Sequence, residues 1–133
     1  MSAEHRGSCL CGRVHFVVRG EIPAPDACHC QACRKSSGHY FVSADIQRAA
    51  IDISGLDEVR WYHSTPDVRR GFCGHCGATL FWDRPGRDWI GVAMGAFDTP
   101  TGSHIHVHIF VAEKGDYYEI GDGVPQYARV PER

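Results

Sequence analysis

Seven cysteines in a chain of 133 residues constrain this protein more than any other feature of its sequence. They fall into three groups. Cys9 and Cys11 form "CLC", Cys28, Cys30 and Cys33 lie in "CHCQAC", and Cys73 and Cys76 form "CGHC". The number is odd, and the opening "MSAEHRGSCLCG" lacks the apolar stretch of a signal peptide, so a secreted disulfide scaffold is not the expectation. The expected location is the cytosol. In that reducing compartment clustered thiols more often hold metal or carry out redox chemistry.

The C-x-C and C-x2-C pairs together offer four soft thiolates, the donor set of a closed tetrahedral zinc site. Gly12 follows the first pair and Gly77 the second. A glycine at that place lets the chain curl and aim backbone N–H groups at sulfur. About sixty residues separate the pairs, so a shared metal closes a long loop, where a clip gains most. Cys9, Cys11, Cys73 and Cys76 are therefore assigned to a structural zinc. A thioredoxin-like redox pair, an iron–sulfur cluster and oxidised disulfides are the rival readings. Ligand type and compartment favour zinc over them.

The remaining triplet, Cys28, Cys30 and Cys33, supplies three ligands and leaves a fourth position open, which is how catalytic zinc is built. Three thiolates on Zn²⁺ carry a net charge of −1, so the metal is a poor Lewis acid for water and better suited to a sulfur donor. A thiol bound there is deprotonated at neutral pH. The competing reading is a second closed site completed by His29 or a more distant histidine. Arg34 and Lys35 directly follow Cys33 and are candidates for binding substrate carboxylates; solvated surface is the alternative. Oxidation of the triplet, most plausibly across Cys30 and Cys33, is expected once its metal is lost.

Fifteen glycines and seven prolines cut the chain into short pieces. "RVHFVVR" alternates, with Val14, Phe16 and Val18 on one face. Segments 39–46, 58–64, 78–83, 88–94 and 104–112 are rich in aromatic and β-branched residues and read as strands, with turns at 84–88 and 98–103. A short helical piece is expected over 31–36. The whole chain, residues 1–133, reads as one mainly β, mostly antiparallel domain with little helix, a sandwich or a bent open barrel. His104, His106 and His108 would share one strand face, read as polar surface rather than a metal site. His29 and His75 flank the metals, and His39 is a candidate proton shuttle.

A formal net charge of −2 argues against a nucleic-acid partner, and no apolar run reaches membrane-spanning length. A small-molecule partner is the expectation.

The segments "GSCLCGRVHF", "CHCQACRKSSG", "FCGHCGATLFW", "GAFDTP", "HIFV" and "DGVPQY", in this order, resemble the glutathione-dependent formaldehyde-activating enzyme family, which includes the centromere protein V domain. The resemblance runs from about Gly7 to Tyr127. It implies an antiparallel β-tent, bent sandwich-like sheets with two zinc sites. In it Cys9, Cys11, Cys73 and Cys76 match the structural zinc, and Cys28, Cys30 and Cys33 the catalytic one. The implied activity adds glutathione, or a similar thiol, to formaldehyde or another small aldehyde, giving S-hydroxymethylglutathione in the founding case, and is classed as a carbon–sulfur lyase. The alternatives are a non-catalytic zinc module for a protein or nucleic-acid partner and a thiol redox sensor. "KGDYYEI" places tyrosines where many relatives show tryptophan, which would alter a pocket wall.

Overall fold

The computed structural model of the protein describes residues 3–131. In chain order its strands are β1 (Glu4–Ser8), β2 (His15–Arg19), β3 (Asp26–Cys28), β4 (Phe41–Gln47), β5 (Ile51–Ser54), β6 (Val59–His63), β7 (Arg69–Cys73), β8 (Thr79–Asp83), β9 (Trp89–Ala93) and β10 (Val107–Ile109). One α-helix, α1 (Gln31–Ser37), sits between β3 and β4. The strands form a three-stranded sheet, β1-β2-β5, and an open seven-stranded sheet, β10-β3-β4-β9-β8-β7-β6. This is a mainly β, β-tent architecture.

Side-chain alternation decides which face of each sheet is buried. In β2 and the residue before it, Val14, Phe16 and Val18 are essentially inaccessible, while His15 and Arg19 face out. Phe16 packs edge-on against Phe97 at 5.2 Å and lies 6.2 Å from Phe81 of the facing sheet. Leu80, Ile46, Ile90 and Val92 complete this layer between the sheets. Burying a side chain such as Phe16 contributes roughly 2–3 kcal/mol. The sheets approach closely where β1 meets the turn after β9. A Cβ added at Gly7 would lie 2.4 Å from both the Phe16 ring and the Ala96 carbonyl, so only glycine fits.

Asp83, buried at the end of β8, accepts from Arg48 at 2.5 Å and from Arg69 at 2.7 Å. It ties β8 to the segment after β4 and to β7.

Two sequence expectations need correction. The segment 104–112 is not one strand. Only Val107–Ile109 pairs, because Phe110 adopts a left-handed φ of 54° and the chain turns into a short 3-10 stretch at Val111–Glu113. β10 pairs with β3 in parallel, the one parallel ladder in the described sheets. The histidine face divides accordingly: His104 and His106 are exposed, whereas His108 is buried.

Candidate metal centres and active-site cleft

Two tight turns build the four-cysteine cluster. The first closes with Cys9 N–H on the Val14 carbonyl and Gly12 N–H on the Cys9 carbonyl, with Gly12 at φ 82°. The second repeats that pattern: Cys73 N–H bonds Ala78, Gly77 N–H bonds Cys73, and Gly77 sits at φ 79°. Both turns aim backbone donors at sulfur. Val14 N–H reaches Cys9 Sγ at 3.3 Å, and the N–H groups of His75 and Cys76 reach Cys73 Sγ at 3.4 Å. The four sulfurs lie within 4.8 Å of one another, although Cys11 and Cys73 are 62 residues apart. The Cys76 thiol is held at about 6, first by the Ala78 backbone N–H and then by that of Cys11. Four converging sulfurs, with donors arranged for thiolate rather than thiol, fit a tetrahedral zinc.

The triplet forms where β3 runs into α1. Cys30 caps the helix, its Sγ accepting the Cys33 N–H at 3.3 Å, and Gly38 at φ 90° ends it. Cys28, Cys30 and Cys33 bring their sulfurs within 4.8 Å of one another. Crowding distributes the protons unequally. Hydrogen bonds from Cys28, then Cys33, hold the Cys30 thiol far below its ordinary value, while Cys28 is pushed up by Cys30, Cys33 and burial. Three sulfurs gathered this closely fit a soft divalent metal, which would take them as thiolates. No fourth protein donor joins the cluster among the described residues.

His29 does not complete this site. Its side chain, between Cys28 and Cys30 in sequence, is fully buried and turned toward Tyr118 and His108. Nδ1 bonds the Tyr118 hydroxyl at 2.5 Å, and Nε2 bonds His108 Nδ1 at 2.9 Å. His108 Nε2 in turn bonds Asp122 at 2.8 Å. The chain of four side chains pins the segment after β10 against β3. Desolvation first, then the charges of His108, His39 and Lys114, lowers His29 to about 4, so it is neutral at physiological pH. His39 bonds the Tyr117 hydroxyl. Tyr117 and Tyr118 therefore serve this network, and neither lines the cleft.

The triplet opens into a cavity of about 440 Å³. Phe41, Val68, Trp82, Trp89, Ile109 and Phe110 make its walls mostly apolar. The rings of Trp82 and Trp89 stack at 5.5 Å and 7°. Arg34 and Lys35, the sequence candidates for substrate binding, do not line it. Arg34 lies on the tyrosine side of α1, where its charge bears on Tyr118. The basic residue that does line the cavity is Arg70 of β7, whose Nη1 lies 3.5 Å from Cys33 Sγ. Sequence reasoning passed over it, since "RRGFC" carries no motif. Its place follows from the β7–β8 register, which pairs it with Trp82.

A β-tent bearing one closed four-cysteine cluster and one open cysteine triplet at the base of an apolar cleft defines a class of protein with two centres that could hold a metal ion. The family model for the glutathione-dependent formaldehyde-activating enzyme matches residues 4–113, and the chain belongs to that family. It is 32% identical over 79 residues to a Schizosaccharomyces pombe protein described as an uncharacterized lyase, a match covering 59% of this chain and 57% of that one. The chain thus spans a little over half the length of that relative. It is 27% identical over 124 residues to the "Putative glutathione-dependent formaldehyde-activating enzyme" of Halomonas elongata, covering 86% of this chain and 79% of the relative. A crystal structure of a Rhodobacter sphaeroides protein shares the fold, with a TM-score of 0.60 at 21% identity over 73% of this chain and 91% of the other. Among the described residues no helix is long and apolar enough to cross a membrane.

Proposed function

We propose that the protein is a carbon–sulfur lyase-type enzyme that adds glutathione or a similar thiol to formaldehyde or another small aldehyde. The whole chain acts as one such zinc domain, in the cytosol. The observation that carries the reading is the convergence of three thiols, without a fourth protein donor among the described residues, at the base of an apolar cavity. Family membership supports the choice of thiol and aldehyde.

Cys28, Cys30 and Cys33 would hold a second zinc beside the structural one at Cys9, Cys11, Cys73 and Cys76. When bound, that zinc supplies the positive charge that keeps an exogenous thiol ionised at neutral pH. The rest is the work of the chain. Arg70 offsets the negative charge gathered at the triplet. The Trp82, Trp89 and Phe41 walls exclude water and hold a small carbonyl compound close to the sulfur, so that a bimolecular encounter becomes a local one. The reaction forms one C–S bond. The carbonyl π pair moves to oxygen, which gains the proton the thiol lost, and nothing is oxidised or reduced.

The test is exchange spectroscopy on glutathione with formaldehyde, a pair that equilibrates without a catalyst. The expected result is a faster exchange with the zinc-loaded protein and no acceleration with Cys30→Ser. An exchange rate indifferent to the wild-type protein would remove the enzyme reading and leave the zinc module or the redox sensor.

A further inference from the structure

Arg70 is the one arginine that lines the cavity among the described residues. Arg69, its neighbour, is paired with Asp83, as is Arg48, and Arg19 is paired with Asp52. Arg70 has no carboxylate partner among the described residues. Its contacts are Ser64 Oγ at 3.3 Å, Ser36 Oγ at 3.4 Å and Cys33 Sγ at 3.5 Å. The two to serine are long, and the five-donor guanidinium fork keeps donors unspent. The group is half-buried, in a cavity whose walls are mostly apolar. A guanidinium so placed gains from an anion with two oxygens.

The opposite end of the cavity carries the opposite charge. Asp45 of β4, Gly91 of β9, Trp82 of β8 and Arg70 of β7 are aligned in one cross-strand row. Three strand spacings separate the ends, about 14 Å between Cα atoms. Asp26 joins Asp45 at its end. Desolvation, then the Asp26 charge, raises the Asp45 carboxyl, and His106, bonded to Asp26 at 2.7 Å, offsets part of that charge. A ligand carboxylate has one favourable place in the cleft.

We propose that Arg70 is the specificity-determining residue of the cleft, binding a carboxylate of the incoming thiol beside the triplet and directing that end of the ligand away from Asp26 and Asp45. The assignment rests on the thiol-adding function proposed above for the ligand's identity. Two parallel N–H···O bonds from the guanidinium fix the carboxylate's direction as well as its position. The thiol then reaches the triplet in one orientation, and an otherwise similar thiol without a carboxylate is discriminated against.

The experiment is calorimetric binding of S-methylglutathione and of its dimethyl ester to the zinc-loaded full chain. The methylated sulfur cannot react, so binding is read apart from catalysis. The wild-type protein is expected to prefer the free acid by about tenfold or more, the range for hydrogen bonds to a charged group. Arg70→Gln should erase that preference, Arg70→Lys should retain part of it, and Arg84→Gln, an exposed arginine outside the cleft, should keep it within about twofold. Unchanged zinc content certifies each variant's fold. A wild-type protein that binds acid and ester alike, or an Arg70→Gln protein that keeps the preference, would overturn the proposal. So would loss of the preference in Arg84→Gln. If the preference follows Arg70 while the wild type fails to accelerate glutathione–formaldehyde exchange, the function reading falls and this assignment stands. If exchange is accelerated and the preference ignores Arg70, the reverse holds.

Discussion

Replacing one cysteine in each cluster by serine should have very unequal consequences for stability. Cys73 is fully buried and joins Cys11 across 62 residues. Taking the metal as a cross-link, closure of a loop that long is worth about 4 kcal/mol in chain entropy. For a chain of this size about 1 kcal/mol corresponds to roughly 3–4 °C, so Cys73→Ser should lower the melting temperature by about 12–16 °C. Cys30 closes only a local turn, and its sulfur caps α1 by accepting the Cys33 N–H. Serine is itself a favoured helix N-cap, so Cys30→Ser should cost about 1 kcal/mol or less. The assay is calorimetry or circular dichroism melting of freshly reduced, zinc-replete protein. A Cys73→Ser protein melting within a few degrees of wild type, or a Cys30→Ser protein falling as far as Cys73→Ser, would refute the division into a structural and a working site.

Three further outcomes follow from the geometry. Mild chelation should remove one zinc, from the triplet, and leave the fold intact; loss of both metals together with unfolding would contradict the unequal coordination. Asp83→Asn should destabilise by about 2–3 kcal/mol in urea, because it leaves Arg48 and Arg69 without their shared anion and solvent tempers the loss only in part. An unchanged midpoint would count against that hub. His29 should stay neutral until the pH falls to about 4, as followed by imidazole NMR. Its folded value lies below the unfolded one, so it adds stability that is complete above about 6.5 and drains away as pH drops toward 4. A ring that titrates near 6.5 in the folded protein would contradict the buried network.

The cysteine clusters were legible in the sequence because the pieces that build them are local. C-x-C-Gly and C-x2-C-Gly carry their own turn geometry, and the triplet straddles a strand and a helix cap only a few residues apart. The strands β2, β4, β6, β8 and β9 were legible from alternation or β-branched and aromatic content. β1, β3, β5 and β7 were not: "EHRGS", "DAC", "IDIS" and "RRGFC" are short, polar or interrupted by glycine, and the sheet around them decides their state. The parallel ladder of β10 on β3 joins residues eighty-one positions apart and has no turn signal to announce it. Arg70 illustrates the same limit at the site. Proximity in sequence pointed to Arg34 and Lys35, but a helix turns successive side chains about 100° apart, and these two leave the cleft while a strand thirty-seven residues past Cys33 supplies its cation.

The claim on which the rest depends is that Cys28, Cys30 and Cys33 hold a metal whose fourth position accepts an external thiol. Cobalt in place of zinc makes that position visible, because each thiolate bound to Co²⁺ adds sulfur-to-metal charge-transfer absorption. Titration of the dicobalt protein with glutathione should raise that absorption by the share of one thiolate, saturate at one equivalent of sites and be absent in Cys30→Ser. A spectrum that glutathione leaves unchanged, in protein shown to hold both metals, would contradict the claim.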